Sequence, residues 1–334
     1  MSFGIDILED EILSWGNEIL DSLLLDRTTG ENIIWATDDY ISRGDGYSFH
    51  DPITPNKICG DNMHVIQPRI SKSLEEQKRR IVDKAEVFTP SWICNVQNNL
   101  IDKAWFQTEQ DVFNHEVEGS NTWEPTQQFP PYPQGKNWRS YIMENRLEMA
   151  CGEAPYLCSR FDATTGIMIP IHKRIGLLDR KLQLVNANTP DISPYMSAAQ
   201  RKNTHKIWRR AAYKALQSTY GFEWQGDNLL LARESLLITF VEYYQAKWNT
   251  EKLPDRECLR KAAEIISWNI WQMDGMTCGI PGYTPSESLE YGLFDYAIPL
   301  RERLCRIKEW TNQEPLMGDE IIFAKILNIN NNKR

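Results

Sequence analysis

The sequence predicts an α/β fold built on a parallel sheet, and three observations carry that prediction. Short strand-like runs, "RLEMA", "YGFEW" and "SWNIWQMD", recur after residue 145. Helical patterns separate them, the alternation that produces strand–helix–strand units and a parallel sheet. The first run stops at "CGEAP", where Gly152 allows a tight turn out of a strand. The runs also carry acids, Glu148, Glu223 and Asp274, at or near their ends, and open parallel sheets bind ligands beyond the carboxyl ends of their strands.

Length and composition bound the rest. A chain of 334 residues with 41% apolar content suits one α/β core of roughly 200 residues with extensions on both sides. We divide it into an N-terminal helical and loop extension (1–85), a core (86–280) with an insertion at about 163–218, and a C-terminal segment (281–334). The net charge of −9 argues against a nucleic-acid-binding surface over the whole molecule. Charge is sorted by region, however: residues 201–214, "RKNTHKIWRRAAYK", hold six Lys/Arg and no acid. A solvated helix face is the ordinary reading of such a run, and a DNA contact through Arg201, Lys202, Lys206, Arg209 and Arg210 is the functional one. Seven scattered Cys without a C-x-x-C pattern suggest free thiols in a reducing cytoplasm rather than zinc or a disulfide frame. Five His give little basis for a histidine-rich metal site. The apolar run from Leu229 to Phe240 is interrupted by Arg233 and Glu234 and is too short to span a bilayer. The start, "MSFGIDILED", lacks the basic-then-apolar order of a signal peptide.

Along the chain, residues 7–25 carry apolar side chains at helical spacing and predict one amphipathic helix. "DRTTGENIIWATDDY" reads as a glycine turn and a short β-like run. Residues 41–70, rich in Gly, Pro, Asp and Asn, read as an ordered loop region. "SLEEQKRRIVDKAE" predicts a helix capped by Ser73, with Glu76 three residues on. "EVFTPSWICNVQNNLIDKAWF" predicts an extended piece and then a helix, and 107–140 a polar connection. "YLCSRF" reads as a helix after the Gly152 turn, whose N-terminus would favour an anion. "DATTGIMIPIHKRIG" suggests a hairpin, 198–218 a basic helix, 227–248 a long buried helix and 255–266 another. The end holds "CGIPGYTP", a helix around 287–295, and "DEIIFAKIL" as one strand.

Each strand-end feature has a chemical use. Gly152 would let backbone approach a ligand, and Glu223 could accept hydrogen bonds from two ribose hydroxyls. Taken as an ordered set, "AEVFTP", "LEMACGEAPYL", "YGFEWQGDNLLLAR" and "NIWQMDG" resemble the successive motifs of S-adenosylmethionine-dependent DNA adenine-N6 methyltransferases. The likeness is nearest to modification (M) subunits of bacterial restriction–modification systems and covers about 86–277. It implies a Rossmann-like methyltransferase sheet with S-adenosylmethionine as cofactor and double-stranded DNA as substrate. By that resemblance Phe88, Thr89 and Pro90 would meet the cofactor's methionine end. Glu148, Cys151 and Gly152 would form its first loop, Glu223 would hold the ribose, and Asp274 would meet the target adenine amino group. The N-terminal 85 residues, "DRTTGENIIWATDDY" above all, also resemble those of restriction-associated M subunits.

The chain departs from the family pattern. Ala154 stands where the last loop glycine would be, and Met149 replaces a proline. Glu148 and Glu223 lie 75 residues apart, against about 20 usual between first loop and ribose carboxylate. No N-P-P-Y follows Asp274, although that motif holds and stacks on the flipped adenine in the family. "FPPY" at 129–132 does not replace it, because Phe129 cannot accept a hydrogen bond from an amine. After Asp274 only 60 residues remain, too few for the four further strands of a full methyltransferase sheet. The sheet is therefore expected to be incomplete, with a second methyltransferase or restriction subunit, or a second copy, completing it. A degenerate, inactive subunit with a structural or DNA-binding role is the alternative. A nuclease reading rests only on "EQK" at 76–78, which falls on an expected exposed helix.

Overall fold

Three short parallel strands stand at the centre of the protein: β3 (Arg146–Met149), β4 (Thr219–Glu223) and β5 (Ile270–Gln272). They follow one another across the sheet in the order β3–β4–β5, with Glu148 opposite Gly221 and Glu223 opposite Gln272. The structure, a computed structural model, describes residues 3–84, 89–282, 304–311 and 316–329. Among them are eleven α-helices and seven strands, a mixed α/β architecture.

Ahead of the sheet lie α1 (Glu9–Trp15), α2 (Asn17–Leu24), α3 (Pro55–Ile58), α4 (Leu74–Lys84) and α5 (Ser91–Phe106). The hairpin β1 (Asn114–Glu116) and β2 (Trp123–Pro125) and the short α6 (Trp138–Ile142) fill the connection to β3. Between β3 and β4 come α7 (Leu177–Asn188) and α8 (Ala198–Gln217). Between β4 and β5 come α9 (Gly226–Trp248) and α10 (Arg256–Asn269). An antiparallel pair, β6 (Arg306–Trp310) and β7 (Gly318–Ile322), and α11 (Phe323–Ile329) close the described chain.

One hydrophobic cluster runs from Phe3 to Ile270 and takes in α1, α2 and α7–α10, so the N-terminal extension shares its core with the sheet. A smaller cluster on the other face joins Phe222, Trp271 and Met273 to Cys305, Ile307 and Phe323. β4 and β5 are thus covered on both faces, as parallel strands require. β3 is not: Leu147 is 42% and Met149 73% exposed, and no described strand pairs with its outer edge.

Several expectations are corrected. The helix expected over 7–25 is two helices broken at Gly16, which takes φ 150°, a value open to glycine. No helix follows Gly152. Leu157 and Cys158 donate back to the Ala154 carbonyl for a single turn, and Ser159 is then drawn to Asp179 of α7 through both its N–H (2.8 Å) and its hydroxyl (3.0 Å). The helix-dipole contribution assigned to "YLCSRF" is therefore absent. "DEIIFAKIL" is half strand and half helix: β7 ends at Ile322, and Phe323 turns into the smaller cluster. The strand "SWNIWQMD" is shorter than expected, since Ser267 to Asn269 belong to α10. The helix around 287–295 lies outside the described residues.

Other elements form as expected. The Glu76 N–H donates to Ser73 Oγ at 3.2 Å and caps α4. The β-like run after "DRTTG" and the hairpin at "DATTG", by contrast, reduce to isolated bridges, Leu25 with Asn32 and Phe161 with Met168. These surround two alike turns, in which Asp26 Oδ1 accepts from the Thr28 N–H and Asp162 Oδ1 from the Thr164 N–H. "FPPY" is irregular chain, with Phe129 and Tyr132 packed on Phe106.

Candidate functional site at the strand ends

The backbone after β3 makes an unusual loop. Ala150, Gly152 and Ala154 all take positive φ (50°, 53° and 61°), the left-handed region that costs non-glycine residues roughly 1–2 kcal/mol each. Ala154 does so while fully buried. The loop thus keeps the glycine-type conformation without the glycine. A Cβ added at Gly152 would meet nothing within 4 Å, so open space adjoins its backbone.

Two neighbouring carboxylates close around this loop. Glu223, at the end of β4, accepts the Gly152 N–H on Oε2 at 2.9 Å and the Gln225 N–H on Oε1 at 3.1 Å. Burial raises its carboxyl above the usual range, and these two N–H groups pull it back. Glu148, on β3, accepts the Tyr156 N–H on Oε1 at a long 3.4 Å. Its Oε2 is out of contact with water and has no partner. Burial, reinforced by Glu223, holds the Glu148 carboxyl well above the ordinary value. An unpartnered buried oxygen is a destabilising arrangement, and a ligand donor would relieve it.

Cys151 supports the loop from below. Its N–H donates to the Phe222 carbonyl at 2.8 Å, extending the ladder. Gly221 lies close by, and a Cβ there would come 3.2 Å from Cys151 Sγ, a tight contact. The Cys151 thiol is buried and pushed well above its ordinary pKa by that burial, so it packs rather than reacts. All seven cysteines are free thiols.

The segment before α5 comes to the same place. Pro90 is the N-cap of α5, the Thr89 carbonyl faces Cys94 Sγ, and the Tyr156 hydroxyl reaches Thr89 and Cys94. The Cys94 thiol is pushed up to about 12, first by burial and then by nearby Glu148. Thr89, Pro90, Glu148, Cys151, Gly152 and Glu223 therefore gather at one corner of the sheet. Phe88 lies outside the described residues. Asp274 sits just past the end of β5, beside β4 through the Met273 N–H to Glu223 carbonyl bond. Its carboxylate closes its own turn, with Oδ1 accepting from the Met276 N–H and Oδ2 from the Thr277 hydroxyl, each at 2.8 Å.

The N-terminal extension braces the site, which sequence reasoning missed. Gly226 N–H donates to the Trp35 carbonyl, and any Cβ at 226 would fall 2.0 Å from the Ile34 carbonyl oxygen. The Gln272 side chain accepts from the Ile34 N–H (3.0 Å) and donates to its carbonyl (2.8 Å), sealing the β5 edge as a strand partner would. Arg80 donates to Gln225 (3.1 Å) and Asp227 (2.8 Å) at the start of α9, and the Tyr40 hydroxyl adds a bond to Asp227 (2.8 Å). The Arg69 N–H donates to Glu153 within the loop at 2.7 Å. "DRTTGENIIWATDDY" thus has a structural role. No local signal marks it, since Tyr40 and its partner Asp227 are 187 residues apart.

The basic helix lies elsewhere. α9 begins beside Glu223 and its 23 residues run about 35 Å. The far end, Trp248, packs on His205 of α8 in a tilted pair with centroids 4.5 Å apart. Lys202, Lys206 and Arg210 are therefore at the opposite end of the molecule from Gly152. Arg209 is paired with Asp255 at 2.6 Å, and Arg201 is bonded to the carbonyls of Pro194 and Met196.

Among the described residues, no helix is long and apolar enough to cross a membrane. Comparison with protein-family models, with curated proteins and with solved structures finds no match for this chain.

Proposed function

We propose that this chain is the cofactor-binding part of an S-adenosylmethionine-dependent DNA adenine-N6 methyltransferase of a restriction–modification system. A second polypeptide would supply the catalytic segment. The observation that carries the reading is the meeting of the Gly152 loop, Glu148 and Glu223 at the carboxyl ends of adjacent parallel strands, the usual ligand position in such sheets. The donor set fits the cofactor. Glu148 Oε2 is unpartnered and suits an ammonium donor. Each Glu223 oxygen accepts one backbone N–H and retains a second lone pair for a ribose hydroxyl. When bound, the cofactor supplies the methyl group, and this chain binds and orients it.

The open side of β3 supports the second chain. Parallel strands are ordinarily covered on both faces. Here Leu147 and Tyr220 line a groove of about 550 Å³ with Trp271, Ile307, Phe323 and Ile326. An additional strand beside β3 would cover it and bring its own carboxyl end next to the Gly152 loop.

A reconstitution tests the proposal. Tritiated S-adenosylmethionine and DNA are incubated with this chain, with the co-expressed product of the neighbouring gene, and with both. Transfer to adenine N6 by the pair alone is expected. Absence of both cofactor binding and transfer in every combination would remove it. The second reading, an inactive subunit, is favoured by the lack of an N-P-P-Y segment after Asp274 and by Ala154 in the loop. It predicts no transfer by the pair and no loss of assembly in Glu223→Ala.

A further inference from the structure

Residues 192–222 contain no Asp or Glu and six Lys/Arg, in a chain of net charge −9. α8 sorts these six. Lys214 donates to the Thr311 carbonyl, and Arg201 and Arg209 are engaged as described. Lys202, Lys206 and Arg210 are exposed, and no hydrogen bond or ion pair joins them to a described residue. They stand at i, i+4 and i+8, one cationic stripe with steps of about 6 Å along the helix.

Two residues before the Ser197 cap, the loop that leads into α8 displays Tyr195, 96% exposed. The display is braced. Arg201 Nη2 donates to the Pro194 carbonyl at 3.0 Å and Arg201 Nε to the Met196 carbonyl at 3.1 Å, one on each side of the tyrosine. Ser197 and Gln200 then cap α8 reciprocally. An exposed aromatic ring on a backbone braced at both neighbours, in the loop that opens the helix carrying these cations, has the make-up of a single-strand-binding platform, where cations track phosphates and a base stacks on the ring.

We propose that Tyr195 with Lys202, Lys206 and Arg210 forms a binding surface for single-stranded DNA, separate from the Gly152 loop and at the other end of α9. Arg201 is its positioning residue rather than a phosphate contact. The three cations stand about 6 Å apart over about 12 Å of helix, so each can meet one phosphate of an extended strand. The inference rests on the methyltransferase reading only in naming DNA, and its test contains no cofactor, so failure of that reading leaves the result readable.

The test is fluorescence anisotropy of the full chain with a labelled 20-nucleotide single strand, the matching duplex and polyglutamate, at 50 and 200 mM salt. The single strand is expected to bind more tightly than the duplex, with a log–log salt slope near −2 for about three phosphates. Tyr195→Ala is expected to weaken it at least about fivefold, the lower end for one stacked base, while Tyr195→Phe keeps the affinity. Reversal of all three stripe cations to Glu is expected to remove most binding. These side chains are exposed, so circular dichroism of each variant should match the wild type. No binding at 50 mM salt, unchanged affinity in both Tyr195→Ala and the charge-reversed variant, or equal binding of polyglutamate would each overturn the proposal.

Discussion

Ala150 and Ala154 hold backbone conformations that glycine would hold without a Cβ clash. Ala150 is exposed, so its methyl contributes little packing. Ala150→Gly should raise stability by about 0.5–1 kcal/mol, relief of strain exceeding glycine's entropy cost, as read from urea unfolding. Ala154 is buried, and the same change there gives up packing, so its gain should be smaller. Glu148 supplies a second prediction. Its pKa is raised in the free protein by burial, and a cationic ligand favours the carboxylate. Cofactor binding should therefore release a proton, and affinity should rise with pH until Glu148 is already ionised. Titration calorimetry in buffers of different ionisation enthalpy reads that proton, and Glu148→Gln should abolish its release.

At the scale of elements, two contacts at the strand ends decide how the site is assembled. Gly226→Ala would drive a methyl to within 2.0 Å of the Ile34 carbonyl oxygen. It should destabilise the fold by about 3 kcal/mol or more, the range for forced overpacking and backbone shifts. The open edge of β3 behaves oppositely. Leu147→Lys with Met149→Lys should leave the chain's own unfolding midpoint nearly unchanged, because both side chains are substantially exposed, yet prevent co-purification with the completing chain. Unchanged co-purification would show that the partner does not use this edge. These elements also mark what the sequence made legible. β3, β4, α8 and α9 follow from the residue pattern, α4 from its Ser73 cap, and the turn at 26–30 from its glycine. The candidate corner was legible where strand ends carry acids: Glu148, Gly152 and Glu223 meet there, as their order at successive strand ends suggested and despite a spacing of 75 residues. The bracing by Ile34, Tyr40 and Arg80 was not, because it depends on pairs far apart in sequence. The missing helix after Gly152 was misread because Asp179, a tertiary partner, captures Ser159.

Over the whole molecule, buried acids set the response to pH. Burial pushes Glu9 up to about 8, and Glu234 is raised well above its ordinary value by burial and then by Glu9. Both Glu234 oxygens lack partners. Acids with raised folded pKa stabilise most below their unfolded value, and that contribution fades as pH rises from about 4.5 toward 8. Asp227 acts in the other direction. Despite its burial, Arg80 and Lys72 hold its carboxyl below the usual range, so its contribution is lost in acid. Stability should therefore peak on the acid side of neutrality, and Glu234→Gln should flatten the decline between pH 5 and 8.5 in thermal melts. We propose that the corner formed by β3 and β4 binds S-adenosylmethionine. Equilibrium binding of labelled cofactor to the wild-type chain and to Glu223→Ala, each alone and with the co-expressed neighbour, tests it most directly. Saturable binding by the wild type that Glu223→Ala loses is the predicted result; no wild-type binding in either form, or equal binding by both proteins, would contradict the account.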